Sequence, residues 1–156
     1  LDRLTHHYGT KSIEVKKYLL KLDKKLRRIK FDVLLSDHGM MDVKEIISVP
    51  KTKICFIDST MARYWFDKPK LPINKGKLIK ADKKFGHTIF LANPGILILP
   101  NYWQGSKPVK AMHGYDPKNE NMKAFYLIKK RGKRRDLHIK DLRRIVFNKS
   151  LQCVRK

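Results

Sequence analysis

The most constraining feature of the sequence is the apolar stretch Thr88 to Leu99, broken in its middle by Asn93-Pro94-Gly95. A bilayer-spanning helix needs roughly 18 or more consecutive apolar residues, and this stretch is too short even before its break. Pro94 lacks the amide that a continuous helix or ladder requires, and Asn-Pro-Gly is turn chemistry. The stretch therefore reads as two short strands, Thr88 to Ala92 and Gly95 to Leu99, in a chain with no membrane span.

Helical and strand patterns surround this pair. Val15, Leu19, Leu22, Leu26 and Ile29 recur at spacings of three and four behind Ser12, a natural N-cap, which predicts a helix from Ser12 to Ile29. Phe31 to Leu35 comes next as a short apolar run of the kind that forms a buried parallel strand, ending at Ser36-Asp37-His38-Gly39. Lys53 to Ile57 and Lys123 to Ile128 read as further strands, Thr60 to Phe66 as the opening of a helix, and Asp136 to Phe147 as a final amphipathic helix. Pro69, Pro72, Pro94, Pro100, Pro108 and Pro117 mark the connections, and there is no internal repeat. The expected architecture is α/β, a sheet-centred domain flanked by helices. Residues 1–156 suffice for one domain or the larger part of one. The start at Leu1-Asp2-Arg3, without a cap or turn signal, suggests a processed or cut beginning, so no signal peptide can be assessed.

Charge bears on partners. With 37 basic against 14 acidic side chains the formal charge is +23, and polyanions must be considered. A nucleic-acid binder concentrates such charge and interleaves aromatics for stacking. Here lysines are spread along the chain, which suits a generally lysine-rich surface, and the tract Lys129 to Arg135 is the one place that resembles a dedicated anion patch. Cys55 and Cys153, far apart, support neither a zinc ribbon nor a disulfide framework. Cys55, within Ile54-Cys55-Phe56-Ile57, reads as a buried thiol and fits a reducing compartment such as the cytoplasm.

Metal-competent side chains occur as Asp2 with His6, Asp37 with His38, and His113. An Asp and a His four residues apart can face one ion from a helical turn, or can form a solvated surface pair. Asp37-His38 sits where a strand ends, the place at which ligands gather in open α/β sheets, and Gly39 allows the backbone to turn there. The alternatives are a strand-capping Asp beside a hydrogen-bonded His, and for His113 a loop imidazole packed on Tyr115.

Taken together, Asp2-Arg3-Leu4-Thr5-His6-His7-Tyr8-Gly9, Ser36-Asp37-His38-Gly39-Met40 and Met112-His113-Gly114-Tyr115-Asp116 resemble, in order and spacing, the nucleotide pyrophosphatase/type I phosphodiesterase family of the alkaline phosphatase superfamily. Asp58 to Phe66, and Phe85 to Gly95 leading to Pro100-Asn101, are similar too, so the resemblance runs from Leu1 to about Ile128. It implies the C-terminal portion of a single alkaline-phosphatase-like catalytic domain whose N-terminal part is missing. It implies two divalent metal ions, zinc before others, one held by Asp2, His6 and His113 and the other by Asp37 and His38. The family's Thr or Ser nucleophile precedes the first ligand motif, so no catalytic nucleophile is expected in this chain, and the fragment alone is expected to be inactive. The implied substrate is a nucleotide or another phosphodiester or pyrophosphate. His87 stands where the family more often has an acid; His7 reads as a bystander and His138 as exposed; Arg63, Tyr64 and Trp65 border the pocket or serve core and surface. Two other readings compete: a truncated, non-catalytic metal-binding relative, and a basic nucleic-acid-binding module.

Overall fold

Ser12 does cap a helix, the second of the chain. In the computed structural model, which describes residues 1–128 and 136–153, α1 spans Asp2–Tyr8 and α2 spans Ile13–Leu26. The Ser12 hydroxyl accepts from the Val15 amide at 3.3 Å, relieving one orphan donor of the first turn of α2. Helix α2 stops short of Ile29. Its predicted apolar stripe is only partly covered: Val15 is buried, Leu22 and Leu26 are half-buried, and Leu19 and Ile29 face solvent.

The strands are short: β1 (Val33–Leu35), β2 (Met41–Asp42), β3 (Glu45–Ile47), β4 (Cys55–Ile57), β5 (Met61–Tyr64), β6 (Gly76–Ile79), β7 (Thr88–Ala92), β8 (Ile96–Ile98), β9 (Ala111–Met112) and β10 (Tyr126–Ile128), followed by α3 (Ile139–Cys153). The chain is mixed α/β, with several small sheets rather than one large one among the described residues. Strands β4, β5, β7 and β6 form an antiparallel sheet in that order. Strand β3 pairs with β8 in parallel, and β2 with β9 and β1 with β10 in antiparallel ribbons.

The Asn93-Pro94-Gly95 break separates β7 from β8 as the sequence indicates. Strand β8 is buried throughout because alternate residues serve two clusters: Ile96 and Ile98 join Ile57, Ala62, Tyr64, Phe90 and Ala92, while Leu97 joins Leu99, Met112 and Tyr115.

Several expectations need correction. Thr60 to Phe66 opens no helix: it contains β5, whose alternate residues Ala62 and Tyr64 are buried, a period-2 pattern that a helix cannot satisfy. The run Phe31 to Leu35 yields β1, whose partner β10 is antiparallel, and Leu35 is exposed. Cys55 is half-buried, its thiol donating to the Thr52 carbonyl. The basic tract Lys129 to Arg135 lies outside the described residues.

Candidate metal centre

Register assembles the cluster. In the β2–β9 ribbon Met41 faces Met112, so the Asp37-His38-Gly39 segment entering β2 and His113 leaving β9 lie at the same end. Helix α1 docks beside them through the Lys110 amide, which donates to the His6 carbonyl at 2.8 Å. Within α1, Asp2 and His6 share a face one turn apart, with His6 Nε2 3.4 Å from Asp2 Oδ2. His113 Nε2 lies 3.8 Å from Asp2 Oδ1, and His38 Nε2 lies 3.4 Å from Asp37 Oδ2. The His38 and His113 rings stack at 3.7 Å between centroids, and the His6 ring is 5.2 Å from that of His113. All five sequence-predicted residues are thus drawn into one neighbourhood from distant segments.

Hydrogen bonds orient two of the imidazoles. His6 Nδ1 lies 2.7 Å from the Ala111 carbonyl and His38 Nδ1 lies 2.9 Å from the Gly39 carbonyl. A carbonyl only accepts, so each Nδ1 carries the proton and donates it. In the neutral ring this leaves the Nε2 lone pair free on the side of the carboxylates, the arrangement that metal-binding histidines adopt. Burial pushes the His113 pKa down, the neighbouring His38 adds to that, and Asp2 opposes it, so the neutral imidazole is favoured. The Asp37 carboxyl is held below the usual range chiefly by its own backbone N–H, with help from His38, so it is ionised at neutral pH.

The donor set therefore suits a borderline-soft divalent cation, with imidazole nitrogens and carboxylate oxygens on a partly open surface. Asp2, His38 and His113 each offer a ligand atom, and these atoms all lie within 4.8 Å of one another. This group draws on both of the ligand sets implied by the sequence resemblance. His6 and Asp37 flank it.

Further residues brace the centre. The Thr60 hydroxyl donates to the Gly114 carbonyl at 2.8 Å, fixing the turn after His113, and the Ser36 hydroxyl accepts from the Phe125 amide at 3.0 Å. These braces, and the carbonyls of Gly39 and Ala111, went unrecognised in the sequence because any residue supplies a carbonyl and Ser and Thr are everywhere. His113 stacks on His38. His7 meets Tyr8 edge-on and is exposed, His138 is exposed, and His87 accepts from the Phe66 amide at 3.2 Å, away from the cluster. Tyr64 is a core residue with its hydroxyl on the Pro50 carbonyl.

Among solved structures, murine ectonucleotide pyrophosphatase/phosphodiesterase 5 has a similar fold, with a TM-score of 0.53 and 17% sequence identity over 80% of this chain and 43% of that chain. The present chain therefore spans less than half the length of that protein, and the likeness is one of fold. No protein-family profile and no curated protein matches the sequence.

Proposed function

We propose that Asp2, His6, Asp37, His38 and His113 are the metal-holding part of a hydrolase centre for phosphodiester or nucleotide pyrophosphate bonds. The observation that carries this reading is the convergence of the five side chains, with the Nε2 atoms of His6 and His38 freed by Nδ1–H bonds to backbone carbonyls. The fold likeness to a nucleotide pyrophosphatase/phosphodiesterase supports the choice of reaction class.

By the resemblance Asp2, His6 and His113 would hold one zinc-like ion and Asp37 and His38 would contribute to a second, while the donor atoms of Asp2, His38 and His113 are those lying within 4.8 Å of one another. Such ions would supply Lewis acidity toward a phosphate oxygen and an attacking hydroxyl. The protein's own part is to aim the His6 and His38 rings through their Nδ1–H bonds, to favour the neutral form of His113 and to hold the exposed Asp2 and Asp37 beside them. The nearby hydroxyls of Ser36 and Thr60 are engaged with backbone groups. By the resemblance, in which the nucleophile precedes the first ligand motif, the attacking Thr or Ser is proposed to lie outside residues 1–156, which by themselves would hold ions without turning over substrate.

Zinc titration of the chelator-treated chain tests this. At about 100-fold excess over the dissociation constant, binding should add about 2.7 kcal/mol, a rise of roughly 5–10 °C in Tm. His113→Ala and Asp37→Ala should each remove the share of that rise due to the ion that side chain would hold. An unchanged Tm with all five residues intact would sink the proposal. For the larger protein, hydrolysis of a chromogenic phosphodiester, set against the matching monoester and sulfate ester, assigns the substrate class; zinc binding without hydrolysis of any of them would mark a non-catalytic relative.

A further inference from the structure

A second exposed cluster lies on the other side of the Ser59-Thr60 turn. Phe56 on β4 and Arg63 on β5 face each other in register, and the Arg63 guanidinium lies over the Phe56 ring at 5.1 Å. The Phe56 ring meets Tyr102 at 5.2 Å, and Tyr102 meets Trp103 at 5.0 Å with the rings nearly perpendicular. Tyr102 is 70% exposed and Trp103 65% exposed. Large aromatics gain stability from burial, and here two neighbours forgo it.

The loop carrying them is tightly tied. The buried Asn101 side chain donates to the Ile98 carbonyl at 2.8 Å and accepts from the Trp103 and Gln104 amides at 2.9 and 2.8 Å. Asn101 and Gly105 exchange backbone bonds, the Tyr102 amide donates to the Ile57 carbonyl, and the Ser59 hydroxyl donates to the Gln104 side chain at 2.7 Å. The aromatics are therefore presented on a fixed support, so little ordering cost remains on binding. Arg63 Nε is buried without a hydrogen-bond partner, and among the described residues no carboxylate pairs with Arg63. Lys107, exposed and bonded through its amide to the Gln104 carbonyl, adds a cation to the same loop.

We propose that Phe56, Arg63, Tyr102 and Trp103 form a stacking platform for the bases of single-stranded nucleic acid. Stacking rings beside unpaired cations are how proteins hold single strands without reading sequence, the aromatics taking bases and the cations phosphates. The net charge of +23 favours this polyanion over a neutral polysaccharide. The perpendicular Tyr102 and Trp103 rings do not offer the coplanar row that suits a run of pyranoses. The platform is distinct from the metal centre and needs no ion, although the Ser59-Thr60 turn touches both, through Gln104 on one side and Gly114 on the other.

Anisotropy of a labelled oligo-dT dodecamer tests the platform. Binding should weaken with salt as counterions are released. Tyr102→Ala combined with Trp103→Ala should weaken it roughly tenfold or more at fixed salt with a chelator present, while Tyr18→Ala, an exposed aromatic on α2, leaves it unchanged. In a Trp65→Phe background, the remaining Trp103 emission should be quenched on binding. Equal affinity of the double variant and the parent would place binding on dispersed lysines and overturn the proposal. So would absence of oligonucleotide binding, or quenching by a neutral hexasaccharide alone. Both substituted side chains are solvent-exposed, and circular dichroism should show the double variant folded. Failure here leaves the zinc titration untouched, so the two readings fall separately.

Discussion

Gly39 shows how one residue's chemistry can be legible while its reason is not. The sequence places a glycine after Asp37-His38 and suggests a special turn, yet Gly39 has no positive φ. The requirement is spatial: a Cβ there would lie 1.9 Å from the Asn121 carbonyl oxygen and 2.9 Å from the Met122 carbonyl carbon, both backbone. Gly39→Ala must push the 120–122 turn away and weaken the 3.2 Å bond from the Gly39 amide to the Met122 carbonyl. A loss of about 1–3 kcal/mol is expected in urea unfolding, together with weaker zinc binding because His38 is bonded to the Gly39 carbonyl. A loss below about 0.5 kcal/mol, the range of neutral surface changes, would show that the turn yields freely. Tyr64 offers a pH-dependent counterpart. Its hydroxyl donates to the Pro50 carbonyl at 2.9 Å, and burial, with the Cys55 sulfur adding to it, pushes its pKa up to about 12. In the unfolded chain it ionises near pH 10. Below pH 10 both states keep the proton; between 10 and about 12 only the folded state does, so stability falls as pH rises through that window. Tyr64→Phe should cost about 1 kcal/mol at neutral pH for the lost hydrogen bond but escape the alkaline decline. The two stability curves should converge and cross near pH 11. Parallel curves from neutral pH through that point would contradict the assignment.

At the level of elements, local signals were readable and pairing was not. The Ser12 cap, the periodicity of α2 and the Asn93-Pro94-Gly95 break are encoded within a few residues, and α2, β7 and β8 follow from them. The direction of β1 is decided by β10, far along the chain, and a short apolar run carries no mark of an antiparallel partner. In β5, Met61-Ala62-Arg63-Tyr64 is too brief a sequence to separate helix from strand, and the alternating burial of Ala62 and Tyr64 emerges only once β4 and β7 supply the pairing. The same limit applies to the candidate metal centre. Asp2 with His6 and Asp37 with His38 stand out as residue types, but their meeting depends on the Met41–Met112 register and on the docking of α1 against β9. The aromatic platform was hidden for a similar reason. Phe56, Arg63 and Tyr102 lie on three separate segments, and only the sheet and the tied loop bring them together.

For the molecule as a whole, charge excess outweighs charge pairing. Carboxylates are engaged locally: Asp23 with Arg27, Glu45 with Lys75, Asp82 with Lys84, Asp116 with Lys77, and Glu120 and Asp136 with Lys123. Exposed pairs of this kind contribute little, and the surplus of 23 cations remains. Mutual repulsion among them acts against the compact state, because unfolding lets the charges move apart. Salt weakens attraction and repulsion alike, shortening the Debye length from roughly 30 Å at 0.01 M to about 8 Å at 0.15 M. The exposed pairs are separated by far less than either length, whereas repulsion between lysines across the surface acts over distances that fall between the two. Screening should therefore remove more repulsion than attraction. Raising sodium chloride from about 0.01 to 0.15 M, with a chelator present to exclude metal effects, should increase stability by about 1–2 kcal/mol, or several degrees in Tm. A fall in Tm over that range would mean that the local pairs dominate, and that the cationic excess is spaced widely enough to cost little.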